Sequence, residues 1–94
     1  MIRWTSQALA DLAEVSAYIA EDNPAAAQAW VNRLKSRVER ASDFPRAGRR
    51  VPEFARDDIR EVRVHSYRVV YRLEPDGITV LALREGHRLL RDTP

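Results

Sequence analysis

The chain contains no cysteine, which excludes disulfides and thiolate metal sites. Histidine is nearly as scarce, with only His65 and His87, so neither a metal centre nor any other cofactor is expected. No apolar run approaches the roughly 20 residues that span a bilayer. The N-terminal stretch lacks the basic-then-apolar pattern of a secretory leader, because Asp11 and Glu14 interrupt it. These absences together point to a cytoplasmic protein. Lysine is almost missing too: of 16 basic residues only Lys35 is a lysine. Such a bias can follow from genome composition alone, yet arginine forks grip carboxylates and phosphates in two-pronged contacts that lysine does not match.

What is present fits one domain, residues 1–94, with a modest core. Hydrophobic residues make up 45% of the chain and charged ones 32%. The net charge of +2 conceals a gradient: −3 over residues 1–22, +6 over residues 23–72 and −1 over the remainder. The basic middle calls for an acidic partner, either phosphates or a carboxylate-rich peptide.

Residues 60–84, REVRVHSYRVVYRLEPDGITVLALR, read as three antiparallel strands joined by two tight turns. Pro75-Asp76-Gly77 fits a three-residue hairpin loop closed by a left-handed glycine, which sets Arg68 across from Arg84. A two-residue turn at His65-Ser66 sets Arg63 across from Arg68. In these registers Val62, Val64, Val69, Tyr71, Leu73, Leu81 and Leu83 form one apolar face. Arg63, Arg68 and Arg84 converge on the other, where like charges side by side need something negative among them. A two-residue turn at Asp76-Gly77 would instead send Arg84 to the opposite face.

Ahead of this sheet, Ile2 and Trp4 alternate around Arg3, as in a short strand joining the sheet. Thr5 or Ser6 can cap a helix whose buried stripe is Ala8, Leu12, Val15 and Ile19, flanked by Leu9 and Tyr18. Asn23-Pro24 caps and starts a second helix with the stripe Ala27, Trp30, Val31, Leu34, Val38 and Ala41. So short a link folds the two helices into a hairpin. Arg33, Arg37 and Arg40 lie along another side of the second helix and read as a solvated face. Phe44-Pro45 stops that helix, and residues 46–58 form a loop in which Phe54 tucks back onto the core. Arg46, Arg49, Arg50 and Arg56 there could rim a phosphate site, though surface solvation is the simpler account. Past residue 84, Glu85-Gly86-His87-Arg88 leaves the last strand, Leu89-Leu90 packs on the domain and residues 92–94 fray. The fold class is therefore α+β: an N-terminal strand and an antiparallel helix hairpin packed on a small antiparallel sheet, in the order β-α-α-β-β-β.

The stretches WTSQALADLAEVSAYIAEDNPAAAQAWV, FPRAGR and SYRVVYRLEPDGITVLALREGHR, in this order and spacing, resemble the RelE/ParE superfamily of bacterial toxins, and its ParE (plasmid stabilisation) branch most closely. These toxins belong to type II toxin–antitoxin modules. The resemblance spans nearly the whole chain. It implies a four-stranded antiparallel sheet cradling the helix hairpin. It also implies a heteromeric assembly with a cognate antitoxin, whose acidic, amphipathic C-terminal segment lays a helix in the groove of the hairpin and continues along the sheet.

The superfamily divides on activity. ParE-like members resemble one another in poisoning DNA gyrase and lack a catalytic set; RelE-like members are ribosome-dependent mRNA interferases. A nuclease needs a base for the ribose 2′-hydroxyl, cations for the phosphorane-like transition state and an acid for the leaving oxygen. Arg68 matches the arginine of the family's Y-R-x-x-Y strand, and Arg84 falls near a second cationic position. Where RelE-type enzymes keep a tyrosine or a histidine–tyrosine pair, this chain reads REGHRLL. The runner-up catalytic set is thus Arg68, Arg84 and His87, with His87 as the acid; the favoured reading has no catalytic residues. His65 at a tight turn reads as solvent-exposed, and Tyr67 and Tyr71 as packing residues. Target or antitoxin contact is assigned to Arg63, Arg68, Arg84, Arg88, Trp4 and Trp30, the two tryptophans being core or antitoxin-contact residues rather than stacking platforms for bases.

Overall fold

Thr5 starts the first helix. Its hydroxyl accepts from the Ala8 N–H at 3.0 Å and donates to the Leu81 carbonyl at 3.0 Å. One side chain therefore caps the helix and ties it to the sheet. The computed structural model describes residues 1–86. The expectations for His87, Arg88, Leu89-Leu90 and residues 92–94 lie outside the described residues. Over the described span the order is β1 (Ile2–Trp4), α1 (Ser6–Asp22), α2 (Pro24–Asp43), a 3-10 turn (Pro45–Ala47), β2 (Arg49–Arg50), β3 (Ile59–Val64), β4 (Tyr67–Glu74) and β5 (Gly77–Glu85).

Asn23 joins the two helices by serving both. Its extended backbone (φ −157°) sends its N–H to the Ile19 carbonyl, closing α1, while its side chain accepts from the Ala26 N–H at 3.2 Å, opening α2. Pro24 occupies the first helical position, where a missing N–H costs nothing. The expected stripes face the sheet: Ala8, Trp30, Leu34, Val38 and Ala41 are buried, with Leu12, Val15 and Ile19 packed against them. Phe44 terminates α2 ahead of Pro45.

The sheet has five strands, in the order β1-β5-β4-β3-β2. It is mixed rather than wholly antiparallel, because β1 runs parallel to β5 (Ile2 beside Ile78, Trp4 beside Val80). The two-residue β2 adds a further strand at the other edge, pairing Arg49 with Glu61. One face carries the helix hairpin over Val64, Val69, Tyr71, Ile78, Val80 and Leu83. The opposite face carries a second, smaller cluster of Val51, Ile59, Val70 and Leu81, against which Phe54 packs.

The hairpin between β3 and β4 has the expected register, with Arg63 opposite Arg68 and a two-residue turn in which His65 takes a left-handed φ of 55°. The one between β4 and β5 does not. Its loop is two residues, Pro75-Asp76, and Glu74 pairs with Gly77 rather than lying near Ile78. Gly77 has φ +148°, and a Cβ there would lie 1.9 Å from the Met1 carbonyl oxygen, so the glycine is needed for the close approach of the N-terminus. Arg68 nevertheless stands opposite Arg84, because β5 contains a bulge: Tyr71 pairs with Val80 but Val70 with Ala82. The extra residue is Leu81, which turns to the second cluster and away from the helix-facing side where the alternation had placed it. Both carbonyls beside the bulge find donors on Thr5, Val80 from its N–H at 3.1 Å and Leu81 from its hydroxyl.

Thr5→Ala should therefore lose the cap and leave the Leu81 carbonyl without its donor, a destabilisation of about 1–2 kcal/mol. Thr5→Ser should retain most of the stability. Urea titrations of the three proteins measure the difference, and equal midpoints for Ala and Ser would show that the hydroxyl does not hold this junction.

Candidate functional site: the arginines of the sheet and their partners

The register brings Arg63, Arg68 and Arg84 side by side on three adjacent strands, as expected. The three guanidiniums then part, and two of them meet carboxylates of the same chain.

Arg68 is 4% exposed. Its Nε donates to Glu61 Oε1 at 2.5 Å, and its two terminal nitrogens donate to Glu53 at 2.7 and 2.8 Å. The fork on Glu53, together with Glu61, holds the guanidinium pKa well above its ordinary value despite the opposing effect of burial. Glu61 is itself 2% exposed and also accepts from Arg49. Charges therefore alternate along this face: Glu53, Arg68, Glu61, Arg49. Glu53 reaches its position from the loop that follows β2, which is anchored by Val51 and Phe54 in the second apolar cluster and by the Val51 N–H donating to the Ile59 carbonyl. Ala55 in that loop holds a positive φ of 25°.

Arg84 bends the other way, around the edge of β5 beyond its last pairing with β1 at Val80. Its Nη1 donates to Asp11 Oδ2 at 2.5 Å and to the Leu83 carbonyl at 3.0 Å. Asp11 Oδ2 also accepts from the Leu83 N–H at 3.0 Å, and Gln7 Nε2 donates to Asp11 Oδ1 at 2.8 Å. Asp11, 7% exposed, thus closes the strand edge where a neighbouring strand would otherwise bond. Arg84 consequently does not share a pocket with Arg63 and Arg68, because a carboxylate on α1 lies within its reach. Asp11 falls three residues after Ala8 and four before Val15, on the inward stripe. That position was the signal in the sequence for a buried, partnered carboxylate.

Arg63 is exposed and has no carboxylate partner among the described residues. Trp30 is 5% exposed and stands edge-on to Tyr67, ring centroids 5.6 Å apart at 67°. Trp4 is half-buried against the same core. The burial of Trp30 makes it a residue of the core, whereas Trp4 is packed there only in part. Tyr71 is fully buried and donates its hydroxyl to the Pro45 carbonyl at 2.7 Å; burial pushes the phenol pKa upward, as it does for Tyr67.

The loop arginines are paired as well. Arg46 meets Asp57, Arg56 meets Asp58, and Arg60, almost buried, donates to Asp57 Oδ1 at 2.7 Å and to the carbonyls of Arg46, Gly48 and Asp57. Sequence reasoning missed Glu53, Arg60 and Glu61 altogether. Among the described residues no cluster of His, Asp and Glu is arranged to hold a metal, and no helix is long and apolar enough to cross a membrane. A groove of about 550 Å³ runs between α1 and β5, lined by Asp11, Val15, Tyr18, Tyr67, Leu83 and Arg84. Leu9 (52% exposed) and Tyr18 (68%) leave apolar surface open on α1.

Two outcomes are expected from this network. Arg68→Ala removes the fork on Glu53 and leaves the buried Glu61 one guanidinium fewer, and should cost about 3–5 kcal/mol. Denaturant unfolding measures this, and a loss below 1 kcal/mol would mean that the triad is not coupled to the fold. The second concerns acid. Asp57, Asp58 and Asp76 have pKa values below the ordinary 3.8, held down by hydrogen bonds from Arg46, Arg56 and Arg3 respectively. Glu74 lies below 4.5 through Thr79 and then Arg72. A lowered folded-state value gives stability that is complete above the unfolded value and lost as pH falls toward the folded one. Thermal midpoints should hold from pH 7 to 5 and drop below about pH 4.5, and Asp76→Asn should flatten part of that drop.

Residues 2–90 match the family described as "ParE toxin of type II toxin-antitoxin system, parDE". The chain is similar to Toxin RelE2 of Caulobacter vibrioides, 33% identical over 87 residues that cover 92% of this chain and 94% of the relative. It is also similar to the candidate toxin Y4kP of Sinorhizobium fredii, 32% identical over 89 residues covering 93% and 88% respectively. Among solved structures, one described as a chromosomal ParDE TA system from P. aeruginosa shares the fold at a TM-score of 0.70, with 20% identity, 89% of this chain and 92% of that one being covered.

Proposed function

Starting from the fact that this chain belongs to the ParE toxin family of type II toxin–antitoxin systems, we propose that it arrests growth from the cytoplasm by binding and poisoning DNA gyrase, with no chemistry of its own, and that a cognate antitoxin neutralises it. The observation that carries the non-catalytic part is the state of Arg68. Cations in a ribonuclease stabilise the charge that develops on the phosphate. Here the guanidinium at the family's Y-R-x-x-Y position is engaged by Glu53 and Glu61, and Arg84 by Asp11. Tyr67 and Tyr71 belong to the core cluster and its packing. For the antitoxin, Val15, Tyr18 and Leu83 in the groove between α1 and β5, with the exposed Leu9 on α1, offer an amphipathic helix apolar contacts, in a lining that also holds Gln7, Asp11, Glu14, Arg84 and Glu85.

A second reading, ribosome-dependent cleavage of messenger RNA, is favoured by the similarity to a relative named RelE2. The two separate in paired assays with the purified protein: supercoiling by gyrase, and cleavage of a transcript during translation. The expected result is inhibited supercoiling with an intact transcript, for both wild type and His87→Ala. Transcript cleavage that His87→Ala abolishes would replace the first reading with the second. Arg68→Ala does not serve as the discriminating variant, because it removes a structural cation.

A further inference from the structure

The ion pairs divide the arginines of the described residues into two populations. Those on the sheet and in the loop all meet carboxylates, except Arg63. The exceptions are Arg33, Arg37 and Arg40 on α2, and Arg63 beside them on β3. Three of them, Arg33, Arg37 and Arg63, are also neighbours in space. Arg33 Nη1 hydrogen-bonds His65 Nε2, and Arg37 Nε donates to the Arg63 carbonyl at 3.5 Å. The turn that carries His65 is fastened to the end of β5 by the Gly86 N–H donating to the Ser66 carbonyl. Gly86 leaves room for the Arg63 guanidinium: a Cβ there would lie 2.2 Å from Arg63 Nη1.

We infer that this corner, formed by Arg33, Arg37, Arg63 and His65, is the docking surface for the acidic stretch of a partner polypeptide. An imidazole nitrogen and a backbone carbonyl, neither of them an anion, contact Arg33 and Arg37, so their positive charge is left unbalanced. Each guanidinium carries five N–H donors, and one contact apiece is accounted for by these bonds. Three exposed or half-buried forks at one corner match the two-oxygen geometry of side-chain carboxylates. A second feature lies one helical turn away: Trp30 Nε1, on a residue 5% exposed, has no hydrogen-bond partner among the described residues.

A polypeptide fits better than a nucleic acid. Strand-binding proteins combine a long cationic track with exposed aromatic faces. Here each remaining arginine of the described residues except Arg40 already meets a carboxylate, and the nearby rings of Trp30 and Tyr67 stand edge-on to each other against the core. The inference rests on the reading that a protein segment neutralises this chain. It moves the acidic contact from the middle of the sheet, where Glu53, Glu61 and Asp11 already supply the negative charge, to the free corner.

The test is fluorescence anisotropy of a labelled twelve-residue oligoglutamate titrated with the full chain at low salt. Charge reversal at the corner, Arg33→Glu with Arg63→Glu, should weaken binding at least ~10-fold, while Arg46→Glu with Arg50→Glu, matched in net charge, should change it by no more than ~3-fold. Circular dichroism confirms that the variants fold; if the reversed pair does not, Arg33→Gln with Arg63→Gln replaces it, with a weakening of at least ~3-fold expected. Three outcomes overturn the inference: no binding by the wild type, equal loss in both charge-matched pairs, or a twelve-nucleotide oligothymidylate bound as tightly at the same salt. None of these outcomes depends on gyrase, and inactivity in the supercoiling assay would leave this measurement unaffected.

Discussion

A guanidinium taken out of water must bring its counter-charge with it, and Arg68 brings two. The cost of desolvating one ion is several kcal/mol, and it is met only when hydrogen bonds saturate the ion. The fork on Glu53 and the bond to Glu61 do that. Because Glu53 lies in the loop after β2 and Glu61 in β3, the same contacts fasten that loop over the face of the sheet that the helices leave uncovered. Val51, Phe54, Ile59, Val70 and Leu81 can then form a small apolar cluster there. The two α-helices of the described residues cover one face, and the second gains its cover from a charged loop.

The same economy governs the edges. β1 is three residues long and protects β5 only as far as Val80. Beyond that point Asp11 accepts from the Leu83 N–H, and Arg84 donates to the Leu83 carbonyl. Side chains thus take up the edge hydrogen bonds that β1 does not reach. Thr5 performs a related task at the bulge, where two successive carbonyls of β5 face outward together. Helix α1 is therefore held by polar contacts at its start and at Asp11, and by the apolar stripe that runs from Ala8 to Ile19.

The helix hairpin was legible in the sequence because caps and stripes are local: Thr5, Asn23 and Pro24 act within four residues of themselves. The register of Arg63 against Arg68 was legible because a two-residue turn leaves one choice. The β4–β5 loop was misjudged for a physical reason. Gly77 looked like the left-handed closer of a longer loop, whereas its positive φ serves the close passage of Met1. The bulge at Leu81 offset that error, so the pairing of Arg68 with Arg84 came out right by a different route. The unbroken apolar run at Leu81-Ala82-Leu83 and the Val69-Val70 pair were signs of strands covered on both faces. Strict alternation overrode them. The fate of the arginines was the least legible part, since Asp11, Glu53 and Glu61 meet them only through tertiary packing.

That fate changes how the positive charge of the chain is to be understood. Read as a list, residues 23–72 are simply basic. Read as pairs, seven of its twelve basic side chains meet carboxylates, three of them sharing Asp57, and the arginines that meet none lie on α2 and the neighbouring end of β3. Charge that is matched within the fold stiffens it and contributes little to the field outside. Charge that is unmatched is what a partner meets first at a distance of a Debye length, about 8 Å in physiological salt. Under the proposed function, in which one partner holds the chain and another is its target, separating the two populations would let partners exchange on guanidiniums that the fold itself does not use, with the internal pairs left intact.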